Sequence, residues 1–244
     1  IYTSLSASGD IAFSVYLKGS GVITLRDNTN VYRQDVTLTS EWARYDLYFN
    51  ATITSIQVQN QTASAVDCEL WGAQCEVGSY STSYIPTNGE AGGVTRNQDI
   101  FTRDGIGSLI NSTEGVLFLE MAALSDDLTE RYITLSDGTS SNIIRIGFFP
   151  VSNYILGQVV KSGLQANFGI TSYSITNFNK IALSYKQNEF KFFINGDKYE
   201  DLIGDTFPAN TLNRLELANY NGASYPFFGK VKQLQVYDTA LTDE

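Results

Sequence analysis

The sequence predicts an all-β protein made of two β-sandwich (jelly-roll) domains, and three observations carry that prediction. Apolar residues recur at every second position along much of the chain, the spacing of a strand with one buried face. Aromatic residues are abundant, 15 Tyr and 14 Phe in 244 residues, and aromatic side chains favour the pleated surface of a sheet. No stretch of useful length carries a helical stripe of apolar residues.

The strands follow in chain order. Phe13, Val15 and Leu17 share one face, while Ser14, Tyr16 and Lys18 share the other. Tyr45, Leu47 and Phe49 repeat the alternation, as do Ile56 and Val58. Cys68 falls in phase with Val66 and Leu70, which makes it a small core residue. On one uninterrupted strand, Cys75 lies seven residues further on and faces the opposite side, roughly 23 Å away. A disulfide needs Cα atoms within about 7 Å, so both thiols are expected to stay reduced, as suits folding in a cytoplasm. From Pro86 to Asp104 the chain holds Asn88-Gly89 and Gly92-Gly93 with few large apolar residues, the composition of a linker. Beyond it Ile144, Ile146 and Phe148 alternate, then Ile181, Leu183 and Tyr185. Phe190, Phe192 and Ile194 lead into Asn195-Gly196, a hairpin signal because both residues tolerate positive φ. Thr242 and Asp243 hint at a helix start in the tail. The domains therefore read as 1–85, a linker at 86–104, and 105–244. The first is short for a complete jelly roll, and its leading strands are expected before Ile1.

Charge and composition narrow the function. A formal net charge of −10 argues against gripping nucleic acid phosphates or an anionic membrane surface. No apolar run reaches the length of a membrane-spanning helix. The chain contains no histidine, which removes Ser-His-Asp triads, histidine general bases and His-ligated zinc together.

Two resemblances add to this reading. IAFSVYLKG at 11–19, VTLTSEWARYDLYF at 36–49 and ELWGAQCEVGSYSTSYIPTNG at 69–89 resemble the carbohydrate-binding-module-like jelly roll of bacteriophage tail proteins. FKFFINGDKYE at 190–200 and FFGKVKQLQVYDTALTDE at 227–244 are similar to the laminin-G-like, concanavalin A-like lectin sandwich. The resemblances imply a phage tail fibre or spike component, assembled in the bacterial host cytoplasm. It would bind host-surface glycan without catalysis, beside other virion tail proteins and as a homo-oligomer. A purely structural virion module, or the accessory domain of a polysaccharide-degrading enzyme, are the alternatives.

Sugar recognition needs aromatic faces for the apolar side of a pyranose, plus amides and carboxylates for its hydroxyls. The run Asn219 to Tyr225 supplies both kinds of group through Tyr220, Asn221 and Tyr225, with Tyr154 and Tyr173 near strand ends to extend a platform. Equally, these tyrosines could cap the sandwich rim. Trp42 and Trp71 sit inside framework motifs and read as packing residues. No cofactor is expected. Calcium is frequent in lectin sandwiches, and Asp126, Asp127 and Asp137, with Asn142, or Asp104, are the oxygen donors available, although none forms a spaced acidic loop. A hydrolase of the concanavalin type would alternate Glu, Asp and Glu on one strand, whereas Glu114, Glu120, Glu130 and Glu216 stand alone. A lyase would pair a tyrosine base with arginine, for which Tyr132 beside Arg131 or Tyr154 with Arg145 are the only suggestions.

Overall fold

The computed structural model describes residues 2–61, 64–90, 93–95, 99–222 and 224–241. The chain divides into two compact units, 1–97 and 98–244.

In the first unit β1 (Tyr2–Ser20), β2 (Val22–Asp27), β3 (Arg33–Thr37), β4 (Ala43–Gln59) and β5 (Asp67–Val77) form one sheet in the order β3-β2-β4-β1-β5. All its pairings are antiparallel. It is one bonded ribbon, not two separately bonded sheets. A straight strand the length of β1 would run about 60 Å, far beyond a compact unit of this size, so the ribbon must coil. Gly9, at φ 101° within β1, takes a conformation other residues resist. A register shift between Ser4 and Ala7, opposite Ile53 to Ser55, marks a bulge. There the buried phase of β4 passes from Leu47, Phe49 and Ile53 to Ile56 and Val58, and all five join one core with Phe13, Val15 and Leu25.

A second bulge corrects two sequence-based expectations. Tyr16 faces Trp71 and Ser14 faces Gln74, so Gly72 and Ala73 together oppose Val15 alone. Gly72 sits at φ 61°, the left-handed glycine that such a bulge requires. The extra residue shifts the phase of β5, and Cys68 and Cys75, expected on opposite faces, both pack against the first core. Both are free thiols. Trp71 and Trp42, expected to pack inside, are 53% and 45% exposed. Trp71 lies between Tyr16 (5.1 Å) and Tyr84 (4.8 Å). The segment bearing Tyr84 is tied down by Gln74, whose Oε1 accepts from the Ile85 amide (2.7 Å), and by Glu76, whose Oε2 accepts from the Thr82 amide (3.0 Å).

The second unit is a two-sheet sandwich. Its strands are β6 (Thr102–Arg103), β7 (Glu114–Ala123), β8 (Arg131–Ser136), β9 (Asn142–Phe148), β10 (Ile155–Lys161) and β11 (Leu164–Ile170). They continue with β12 (Asn179–Lys186), β13 (Glu189–Ile194), β14 (Asp197–Leu202), β15 (Arg214–Glu216) and β16 (Gly229–Tyr237). One sheet runs β11-β10-β9-β8-β15-β6, the other β14-β13-β12-β7-β16. Ile133, Ile144, Ile146 and Phe168 of the first meet Leu117, Leu183, Phe190 and Phe192 of the second in a single core. Phe168 and Phe192 stack at 5.1 Å across it. Asn195 and Gly196, at φ 56° and 96°, turn β13 into β14. Thr102 and Arg103, inside the segment read as linker, instead pair with Glu216 and Leu215. The only described helix is the single turn Gly107–Leu109; Thr242 and Asp243 lie outside the described residues.

Candidate outer-face binding site

The candidate site lies on the outer face of the six-stranded sheet in the second unit. Because Ile133, Leu135, Ile144 and Ile146 point into the core, the residues between them point outward. Register then lines up Thr134, Arg145, Gln158 and Asn167 across β8, β9, β10 and β11 as one polar row. The neighbouring row is Tyr132, Gly147, Leu156 and Gly169.

Hydrogen bonds join three members of the polar row, Arg145, Gln158 and Asn167. Arg145 Nε donates to Gln158 Oε1 (2.9 Å), and Gln158 Nε2 donates to Asn167 Oδ1 (2.9 Å). Arg145 Nη1 donates to Asn219 Oδ1 (3.0 Å). The guanidinium lies 4.2 Å from the centre of the Tyr132 ring, a contact that fixes its plane. Burial, then the hydrogen bond to Glu130, push the Tyr132 phenol up from its usual range, against the opposing pull of Arg145. Tyr132 therefore stays protonated and donates to Glu130.

The second row is shaped by two glycines. A Cβ on Gly147 would lie 2.5 Å from the Tyr132 ring, and one on Gly169 would lie 1.8 Å from the Tyr154 hydroxyl. Glycine at both positions lets these rings lie on the sheet, with the buried Leu156 between. Tyr154 also leans on Phe149 at 5.4 Å.

The loop between β15 and β16 covers β8. Thr134 Oγ1 donates to the Ala218 carbonyl (2.7 Å) and the Tyr132 amide to that of Tyr225 (3.2 Å). With this cover over its outer side and the core beneath its inner one, all six residues of β8 are buried. Asn221 Oδ1 accepts from the Ser224 amide and hydroxyl (3.2 and 3.0 Å), pinning the turn. Tyr225, at φ 51° and 44% exposed, sets its ring edge-on to Tyr132 at 5.8 Å.

Of the residues singled out by sequence, Tyr225 and Tyr154 border the row. Tyr220 is half-buried and Asn221 exposed in the covering loop, in which Ala223 lies outside the described residues. Tyr173 packs against the core of the unit. The acidic candidates are engaged separately. Asp126 accepts from Ser152 and the Asn153 amide, Asp127 pairs with the buried Arg131, and Asp137 closes a turn onto Thr139 and Asn142. Asp104 pairs with Arg214. Among the described residues no three or more His, Cys, Asp or Glu side chains gather as a metal site would need. Sequence reasoning did not single out Gln158 or Asn167, and named Asn219 only as the start of the Asn219 to Tyr225 run. A polar residue at an outward position in the apolar strand ILGQVV was the available signal.

A family model described as the Concanavalin A-like lectin/glucanases superfamily matches residues 121–244. No curated protein matches the chain. Similar solved structures include the Ruminococcus gnavus IT-sialidase CBM40 bound to alpha2,3 sialyllactose (15% identity, 56% of this chain, 82% of that one, TM-score 0.44). The NanB sialidase of Streptococcus pneumoniae is 17% identical, with 59% of this chain and 25% of that one covered and a TM-score of 0.47. Sheep galectin-11 in complex with glycerol is 9% identical, covering 58% and 99%, at a TM-score of 0.37. The match therefore spans only a quarter of the pneumococcal sialidase.

Proposed function

The chain belongs to the concanavalin A-like lectin/glucanases superfamily, and from that premise we propose that it binds glycan, without catalysis, as an adhesive component of a phage tail. The supporting observation is the polar row Arg145-Gln158-Asn167 bordered by the partly exposed rings of Tyr154 and Tyr225. Amide and guanidinium groups suit sugar hydroxyls, and aromatic faces suit the apolar side of a pyranose. Each aromatic–sugar stack contributes about 0.5–1.5 kcal/mol, by analogy with aromatic pairs, so a single site is weak. Repeated copies on a virion would bind with useful avidity, which is the sense of placing such a chain in an oligomeric fibre among other tail proteins. The phage setting draws on the motif at 69–89. The non-catalytic part draws on the absence of histidine and on the protonated, buried Tyr132, which is poorly placed to act as a base.

A glycan array probed with the native chain and with a Tyr154→Ala, Tyr225→Ala variant tests the binding. Signal on at least one glycan class, reduced fivefold or more in the variant, is expected. No signal from the native chain sinks the reading. Antibodies to the chain should decorate phage tails in electron micrographs, and decoration of none would remove the virion setting.

A second reading is favoured by Trp42 and Trp71, whose exposure suits packing of the first unit against other virion proteins. Phe227 and Phe228 do not add to it. Phe227 packs on the core near Phe148 and Phe228 under the Arg131 guanidinium.

A further inference from the structure

Resting on the reading of the outer face as a glycan site, we infer that its ligand is an acidic sugar whose carboxylate pairs with Arg145. In a chain of net charge −10 most cations have an acidic partner at hand. Arg33 pairs with Asp35, Arg131 with Asp127, and Arg214 with Asp104 and Glu216. Arg145 differs. Its hydrogen-bond partners, Gln158 and Asn219, are neutral amides, and no carboxylate among the described residues makes a salt bridge with it. Amides orient a guanidinium without neutralising it. Glu130 accepts from the Tyr132 hydroxyl and makes no salt bridge with Arg145.

The direction of the network sharpens the point. Arginine only donates, so Gln158 must turn its oxygen to Arg145 and its NH2 to Asn167, which must receive it with its oxygen. Asn219, 6% exposed, likewise spends its oxygen on Arg145. Each amide oxygen named in the row already accepts one hydrogen bond from within it, while the groups that can only donate include Arg145 Nη2 and the Asn167 NH2. A donor-rich, positively charged edge seeks an acceptor that carries negative charge. Planar carboxylates fit guanidinium geometry well. Asn167 stands about 10 Å from Arg145 across two strand spacings, placed for a hydroxyl of the next sugar.

The test is titration calorimetry of the full chain with matched pairs of oligosaccharides, each a carboxylated form and its carboxyl-reduced twin, drawn from hexuronates and from ulosonates. A sulfated neutral oligosaccharide is the third probe. The expected result is about tenfold tighter binding of one carboxylated form than of its twin, the increment of one charge-assisted hydrogen bond. The preference should weaken with added salt and vanish in Arg145→Gln. Asn167→Asp, which leaves the guanidinium in place, should weaken the acidic ligand at least threefold more than its twin. Unchanged urea midpoints would certify that both variants fold. Equal binding of both twins, insensitive to Arg145→Gln, overturns the inference and leaves glycan binding standing. Preference for the sulfated probe alone overturns the carboxylate assignment. Binding of none overturns the glycan reading and the inference with it.

Discussion

Gly147 and Gly169 hold no side chain because rings lie where one would go, and each therefore makes a separable prediction. In Gly147→Ala the new Cβ would sit 2.1 Å from the Arg131 carbonyl oxygen, backbone that cannot step aside, so urea denaturation should show a loss of about 1–3 kcal/mol or more. In Gly169→Ala the obstruction is the far end of Tyr154. That ring should swing off the sheet, with a smaller stability loss and a changed near-ultraviolet dichroism. Cys75 behaves differently again. Burial first, and the neighbouring Glu76 charge second, push its thiol up to about 11, so at pH 8 it stays protonated and unreactive. Iodoacetamide should modify it at least tenfold more slowly in the native chain than in urea. The placement of this thiol was misread in the sequence because counting by twos assumes an unbroken strand, and a left-handed glycine leaves no mark on apolar periodicity. Tyr154 and Tyr225 were legible, since ring chemistry alone marks them.

Elements defined by near neighbours were readable, and those defined by distant partners were not. The Asn195-Gly196 hairpin needs only its own two residues and the flanking alternation. The two-residue strand β6 has no such pattern, because both residues are exposed and its partners Leu215 and Glu216 come more than a hundred positions later. The Arg145-Gln158-Asn167 row escaped for the same reason, since it exists only once three strands take their register. The bulge in β5 is the element most open to test. Replacing Gly72 with Ala keeps the strand but strains φ 61° and brings Cβ to 3.2 Å from Tyr16 and 3.4 Å from Tyr84. A loss of about 1–2 kcal/mol is expected, with a shift in tryptophan emission as Trp71 changes its surroundings. An unshifted spectrum at unchanged stability would contradict the bulge.

For the molecule as a whole, carboxyl groups set the response to acid. In Asp27, Asp127 and Asp137 burial works to raise the carboxyl, but hydrogen bonds from Thr29 and Tyr32, the Arg131 charge, and Thr139 with Asn142 outweigh it and leave each below the ordinary 3.8. Such groups stabilise the fold above 3.8, and that contribution is lost as pH falls through their lowered native values. Glu216 has the opposite sign. Burial raises it above 4.5 despite Arg214 and Ser136, so its contribution is present below 4.5 and fades as pH rises through the native value. Three groups outweigh one. The urea midpoint should therefore fall as pH drops from 4 toward 2, and a midpoint that rose over that range would refute the balance. Glu216→Gln should flatten the opposing slope above 4.5.

The one-way character of a guanidinium has a consequence beyond its charge. Because Arg145 can only donate hydrogen bonds, it dictates the head-to-tail sense of every amide chained to it, as the first domino sets the fall of the rest. A residue there that only receives them, as in Arg145→Glu, would let Gln158 and Asn167 reverse and turn oxygens toward solvent. A single substitution would then reprogram the shelf to favour hydroxyl-rich or cationic ligands.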